Sequence, residues 1–73
     1  MRAPKQAKIL ARTGKRIKAA RVARGITQED AAHRSGIDYK RWQRIEAGKA
    51  YVTLLMLGRL AGVLRIRPGK LVR

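Results

Sequence analysis

The sequence predicts an all-α fold, one small domain built from five helices. Three observations predict it. Apolar residues recur at spacings of three and four along most of the chain, and no stretch alternates strictly as a strand would. Gly25, Gly36 and Gly48 follow the ends of such stretches, and Thr27, Asp38 and Thr53 precede their starts, the punctuation of capped helices. Apolar residues make up 45% of the 73 residues, enough for one modest core and too much for a disordered basic tail.

Residues 1–6 contain Pro4 and no apolar pattern, and are expected to form a flexible basic arm ahead of a domain over 7–73. The first helix is expected from Ala7 to Arg24. Ile9, Leu10, Ile17, Ala20 and Val22 fall near one stripe, and Lys and Arg fill the other faces. Gly25 ends it as a left-handed residue. Thr27 caps the second helix and places Glu29 and Asp30 where the dipole is positive. The motif is close to a capping box, with Asp30 in place of the usual Glu or Gln. Gly36 stops this helix after Ser35, and Asp38 opens a third helix that reaches about Ala47, before Gly48. Two short helices joined through Gly36-Ile37 form a helix-turn-helix. Thr53 caps a fourth, from Leu54 to about Leu64, with Leu54, Leu57, Leu60, Ala61 and Leu64 on one face. Gly58 and Gly62 on it are expected to allow close helix packing. Pro68 suits the first turn of a short fifth helix ending at Val72.

Charge narrows the partner class. Lys and Arg total 19 against 4 Asp and Glu, a net +15. Such an excess opposes compaction and favours a polyanion, most simply nucleic acid. With no cysteine there is no disulfide or thiolate metal site, and His33 alone holds no metal, so no cofactor is expected. The apolar stretch Val52 to Leu57 is too short for a bilayer, and no apolar segment follows the basic N-terminus as in a secretory signal. A cytoplasmic, nucleoid-associated protein is expected. No pair of groups has separable acid and base roles, and Thr13-Gly14-Lys15 lacks the P-loop spacing, so no enzyme is expected.

The ordered set Arg16-Ile17, Arg21, Gly25-Ile26-Thr27-Gln28-Glu29-Asp30-Ala31-Ala32, Gly36-Ile37 and Ile45-Glu46-Ala47-Gly48-Lys49 resembles the lambda-repressor-like, Cro/C1-type (XRE) family. Val52-Thr53-Leu54, Leu57, Arg59-Leu60-Ala61, Val63, Pro68 and Leu71 resemble that family's last two helices. The resemblance implies a compact five-helix bundle whose third helix enters the DNA major groove. It also implies base readout by Asp38, Tyr39, Lys40, Gln43 and Arg44. Phosphate contacts would come from Gln28, which also braces the third helix, from Lys49, and from Arg16, Thr27 and Arg41. Arg21 and Glu46 match a structural ion pair between the first and third helices.

The residues themselves agree on the reading face. On a helix starting at Asp38, Trp42 and Ile45 share an inward face and leave Tyr39, Lys40, Gln43 and Arg44 outside. Arg and Lys suit guanine, Gln suits adenine, and Tyr suits a thymine methyl or a phosphate. Ala31 is smaller, and Trp42 larger, than the family's usual residues, and a volume swap between them is expected. Arg65 stands where relatives often have a helix-ending glycine. His33 is expected on the solvent side of helix two. Tyr51 has two open readings, a phosphate contact or a loop anchor.

The function expected is that of a sequence-specific double-stranded DNA-binding transcriptional regulator; the resemblance implies a repressor that occludes polymerase, some members of the family being activators. It would act as a weak, DNA-assisted homodimer through Leu64, Ile66, Leu71 and Val72, the alternative being that these residues close the core of a small monomer. The alternatives are the antitoxin of a toxin–antitoxin pair, which also binds its own operator, and a non-specific nucleoid or RNA binder.

Overall fold

Five helices follow one another in a computed structural model that describes residues 4–72: α1 (Pro4–Ala23), α2 (Gln28–Ser35), α3 (Tyr39–Glu46), α4 (Leu54–Leu64) and α5 (Pro68–Val72). The described residues contain no strand. α1 runs along one side of the bundle and packs on α3 and α5, whereas α2 packs on α4 and α3. The core between them is centred on Ile17, Trp42, Ile45, Leu60 and Leu71, each almost fully buried.

Hydroxyl caps start two of these helices. The Asp30 amide donates to Thr27 Oγ1 at 3.0 Å, and the Met56 amide to Thr53 Oγ1 at 3.1 Å. Asp38 occupies the capping position of α3 but makes no side-chain cap bond, so its expected cap role is confined to the backbone.

Helices α1 to α4 all end in the same pair of hydrogen bonds. Gly25 donates to Val22 O and Ile26 to Arg21 O; Gly36 to His33 O and Ile37 to Ala32 O. Gly48 donates to Ile45 O and Lys49 to Arg44 O; Arg65 to Gly62 O and Ile66 to Ala61 O. The motif needs a left-handed residue, which is glycine three times and Arg65, at φ 54°, the fourth. Helix four therefore stops where a glycine would have stopped it.

Several expectations are corrected. Helix one begins at Pro4, not Ala7, because proline lacks only an amide hydrogen that a first turn leaves unpaired. Residues 4–6 of the expected arm are thus helical, and residues 1–3 lie outside the described residues. Ile9 and Val22 are exposed, and the inward positions belong to Thr13, Gly14 and Ile17. Leu54 is 87% exposed, so the inner face of α4 is Leu57, Leu60, Ala61 and Leu64. Gly58 and Gly62 are exposed, and a Cβ added to either would meet nothing within 4 Å, so they allow no close helix packing. Ala31 and Trp42, both 0% exposed, lie in one cluster, as a volume swap requires.

Candidate nucleic-acid interface

The eight residues of α3 divide sharply between two faces. Trp42, Ile45 and Glu46 are buried, while Tyr39, Lys40, Arg41, Gln43 and Arg44 are exposed. Asp38, just ahead of the helix, is exposed as well. Two of the outer side chains reach the loop beyond the helix. Arg44 Nη2 donates to Lys49 O at 2.9 Å and Arg41 Nη2 to Tyr51 O at 3.2 Å. Lys40, Gln43, Arg44, Ala47 and Lys49 line one concave surface. The donors on it are of the kind that pair with guanine and adenine edges.

On the inner face, Glu46 is the hub that holds α3. Arg21 Nε donates to its Oε2 at 2.6 Å and Arg21 Nη2 to its Oε1 at 3.2 Å. Gln28 Nε2 donates to Oε1 at 2.9 Å, and the Trp42 indole Nε1 donates to Oε2 at 2.5 Å. One carboxylate thereby joins α1, α2 and α3. Burial pushes the Glu46 pKa up, but the hydrogen bonds from Arg21, Gln28 and Trp42, with the Arg21 charge, outweigh it and hold the carboxyl below its ordinary value. Arg21 also donates through Nη1 to Ile26 O at 2.9 Å, which fastens the turn before α2. The pairing of Arg21 with Glu46 was legible in the sequence, but the part played by the indole was missed. The signal available was a Trp and a Glu four residues apart on one helix.

The backbone of α1 presses directly on the end of α3. A Cβ on Gly14 would lie 2.5 Å from Ile45 O and 2.7 Å from Glu46 O, and one on Gly48 would lie 2.8 Å from the Ala11 Cα. Only hydrogen fits at Gly14, which explains a glycine in mid-helix at a cost of about 1 kcal/mol relative to alanine. Its position inside a helical pattern was the sequence signal for a close contact.

The remaining site residues lie as follows. Thr27 is exposed and accepts the α2 cap bond. Gln28 is half-buried, with its amide turned to Glu46. Arg16 is half-buried on α1, and its Nη1 is buried without a hydrogen-bond partner among the described residues. Lys49 and Tyr51 are exposed beside the C-terminal end of α3, and His33 is exposed on α2. Leu64 and Leu71 are core residues, which leaves only half-buried Ile66 and exposed Val72 of the apolar cluster expected at a dimer contact.

Charge is distributed unevenly around this unit. Residues 26–48 carry four acids and four bases, so the whole net +15 resides in residues 1–25 and 49–73. The helix pair itself is electrically balanced. The excess positive charge therefore lies in the segments on either side of that pair.

Comparison with known proteins agrees with this architecture. A helix-turn-helix family profile matches residues 17–71. The crystal structure of the restriction-modification controller protein C.AhdI from Aeromonas hydrophila is similar, with a TM-score of 0.82 and 35% identity. The match covers 85% of this chain and 94% of that one. No curated protein sequence matches. Among the described residues no helix is long and apolar enough to cross a membrane. With the five-helix order, the buried Arg21–Glu46 link and the outward face of α3 in place, the chain belongs to the Cro/C1-type (XRE) helix-turn-helix family of DNA-binding transcription regulators.

Proposed function

We propose that this chain is a sequence-specific regulator that lays α3 in the major groove and represses by covering a promoter. The observation that carries the reading is the division of α3: its inner face is locked to α1 and α2 through Glu46, and its outer face offers Tyr39, Lys40, Gln43 and Arg44 to solvent. Those four, with Asp38, are the proposed base readers. An exposed carboxylate can accept from cytosine N4, and each good base contact adds about 1–3 kcal/mol of discrimination.

Thr27, Gln28, Arg16, Arg41 and Lys49 are the proposed phosphate contacts. The Thr27 hydroxyl accepts the cap bond and keeps its own hydrogen to donate, and the Gln28 amide keeps a second N–H beyond the one given to Glu46. A weak, DNA-assisted homodimer on a two-fold site completes the reading, with half-sites about one helical turn apart.

A second, narrower reading is control of restriction and modification genes, favoured by the 35% identity to a controller of such a system. Selection from a random duplex pool at physiological salt tests both. An enriched palindrome is expected; an enriched single half-site keeps the reader and removes the dimer. No enrichment despite measurable binding overturns sequence-specific regulation. A selected site lying upstream of restriction or methyltransferase genes in the source genome supports the narrower reading, and its absence there removes it.

A further inference from the structure

The N-terminal half of α1 carries Lys5, Lys8, Arg12 and Lys15, all exposed and successively three, four and three residues apart. That spacing makes a continuous ridge along one side of the helix. Like charges at these spacings oppose helix formation, and no acid stands anywhere before Glu29 to relieve them. Among the described residues no ion pair involves any of the four, the Arg21–Glu46 pair lying further along the helix, so the ridge has no counter-charge from the protein. Lys5, Lys8, Arg12 and Lys15 also precede the part of the chain that the family profile matches.

The ridge is rigidly coupled to α3. Ala11 and Gly14 pack against Gly48, Ile45 O and Glu46 O without room for one more carbon atom. At about 100° per residue, Lys15 and Lys8 lie within about 60° of Ala11 around the helix, and Arg12 within about 100°. Ile17, which enters the core, lies on the opposite side of Ala11. The ridge therefore faces away from the core and lies beside the contact of Ala11 with Gly48; the next residue, Lys49, lines the concave surface with Lys40, Gln43 and Arg44. From Lys5 to Lys15 it runs about 15 Å, a length over which one DNA strand offers about four phosphates.

We propose that this ridge is a backbone-binding rail that grips duplex DNA beyond the base pairs that α3 reads. The proposal rests on the DNA-reading role of α3 for its placement, and duplex phosphates are its one occupant. The rail reads no bases. It lengthens the protected DNA and sets how strongly affinity depends on salt, while α3 sets which sequence is chosen.

The test compares the full chain with K8Q/R12Q/K15Q, a set of exposed positions where glutamine keeps helix propensity. The control is R59Q/R67Q/K70Q, which removes the same charge from exposed positions on α4 and at α5. Each protein is titrated over a range of salt with the duplex enriched from the random pool and with a scrambled duplex of equal composition. Loss of three phosphate contacts makes the slope of log affinity against log salt less steep by about 2.7 for the rail variant on both duplexes. The preference between the duplexes is expected to stay within twofold, and the control to keep the parental slope. Trimming the flanks of the duplex is expected to weaken the parent and not the rail variant.

An unchanged slope in the rail variant overturns the proposal, as does an equal change in the control, which would make the effect one of net charge. A collapse of duplex preference in the rail variant also overturns it, because the ridge would then act through α3. If the parent itself shows no preference but the rail variant alone loses the slope, α3 fails as a sequence reader and the rail stands.

Discussion

At the scale of single residues, Glu46 concentrates the most consequence in the fewest atoms. It accepts from Arg21, Gln28 and Trp42 on three helices. Its removal leaves Arg21, whose side chain is only 12% exposed, without a counter-charge. Glu46→Ala is expected to cost about 3–5 kcal/mol, measured by denaturant unfolding; a variant as stable as the parent would refute the anchoring role. The same carboxyl sets an acid limit. Its folded pKa lies below the ordinary value of 4.5, so its stabilisation is complete above that value and is lost as pH falls through the folded one. Because the indole of Trp42 is 0% exposed and bonded to this group, its emission is expected to be that of a shielded indole at neutral pH. It should shift red with the acid transition; a solvated spectrum at neutral pH would contradict the packing. Arg65 is a milder case. It holds a left-handed conformation that glycine adopts freely, at φ 54°. Arg65→Gly is expected to stabilise the fold by about 0.5–1 kcal/mol, after the added freedom of the unfolded chain is subtracted, and to raise Tm by a few degrees. A lower Tm would mean that the arginine side chain holds the α4–α5 turn in a way its backbone does not reveal.

At the scale of helices, what the sequence disclosed followed the grammar of ends. Gly25, Gly36 and Gly48, with Thr27 and Thr53, locate the ends of α1, α2 and α3 and the starts of α2 and α4 because left-handed turns and hydroxyl caps are local chemistry. Which way a face turns is not local. Ile9, Val22 and Leu54 obey the helical period yet lie outside, since period alone does not say which of two adjacent stripes meets a neighbour. The outward side of α3 was readable because Trp42 and Ile45 left it no second apolar stripe, whereas the indole–carboxylate bond needed the fold to bring it together. The tightest contact, Gly14 on the end of α3, joins residues over thirty positions apart and left only an unexplained mid-helix glycine in the sequence. Gly14→Ala is expected to force α1 from α3 and cost about 1–3 kcal/mol, although alanine is the better helix former. Thermal melting checks it: a gain in Tm would show that propensity outweighs the close approach, and the contact would lose its importance.

At the scale of the whole molecule, a net +15 is held by 73 residues, and none of the excess belongs to the α2–α3 segment, residues 26–48, proposed to read the bases. The described residues extend 32 × 23 × 21 Å. At 0.01 M salt the screening length is about 30 Å, so every charge feels nearly every other; at 0.15 M it is about 8 Å and only neighbours interact. The folded state gathers these charges and the unfolded chain spreads them, so repulsion weighs mainly on the fold. Free protein is therefore expected to melt higher as salt rises from 0.01 to 0.15 M. Binding to DNA must respond in the opposite sense, because each neutralised phosphate releases a counterion that added salt drives back. With about five to eight phosphates engaged, log affinity should fall against log salt with a slope of about −5 to −7. The two measurements decide between uses of the charge. A Tm that does not rise with salt would mean the basic residues are already relieved within the fold, and the self-repulsion attributed to them would be absent. A rising Tm with a binding slope near zero would leave the charge a burden without a phosphate partner, against the proposed electrostatic grip of α1 on DNA.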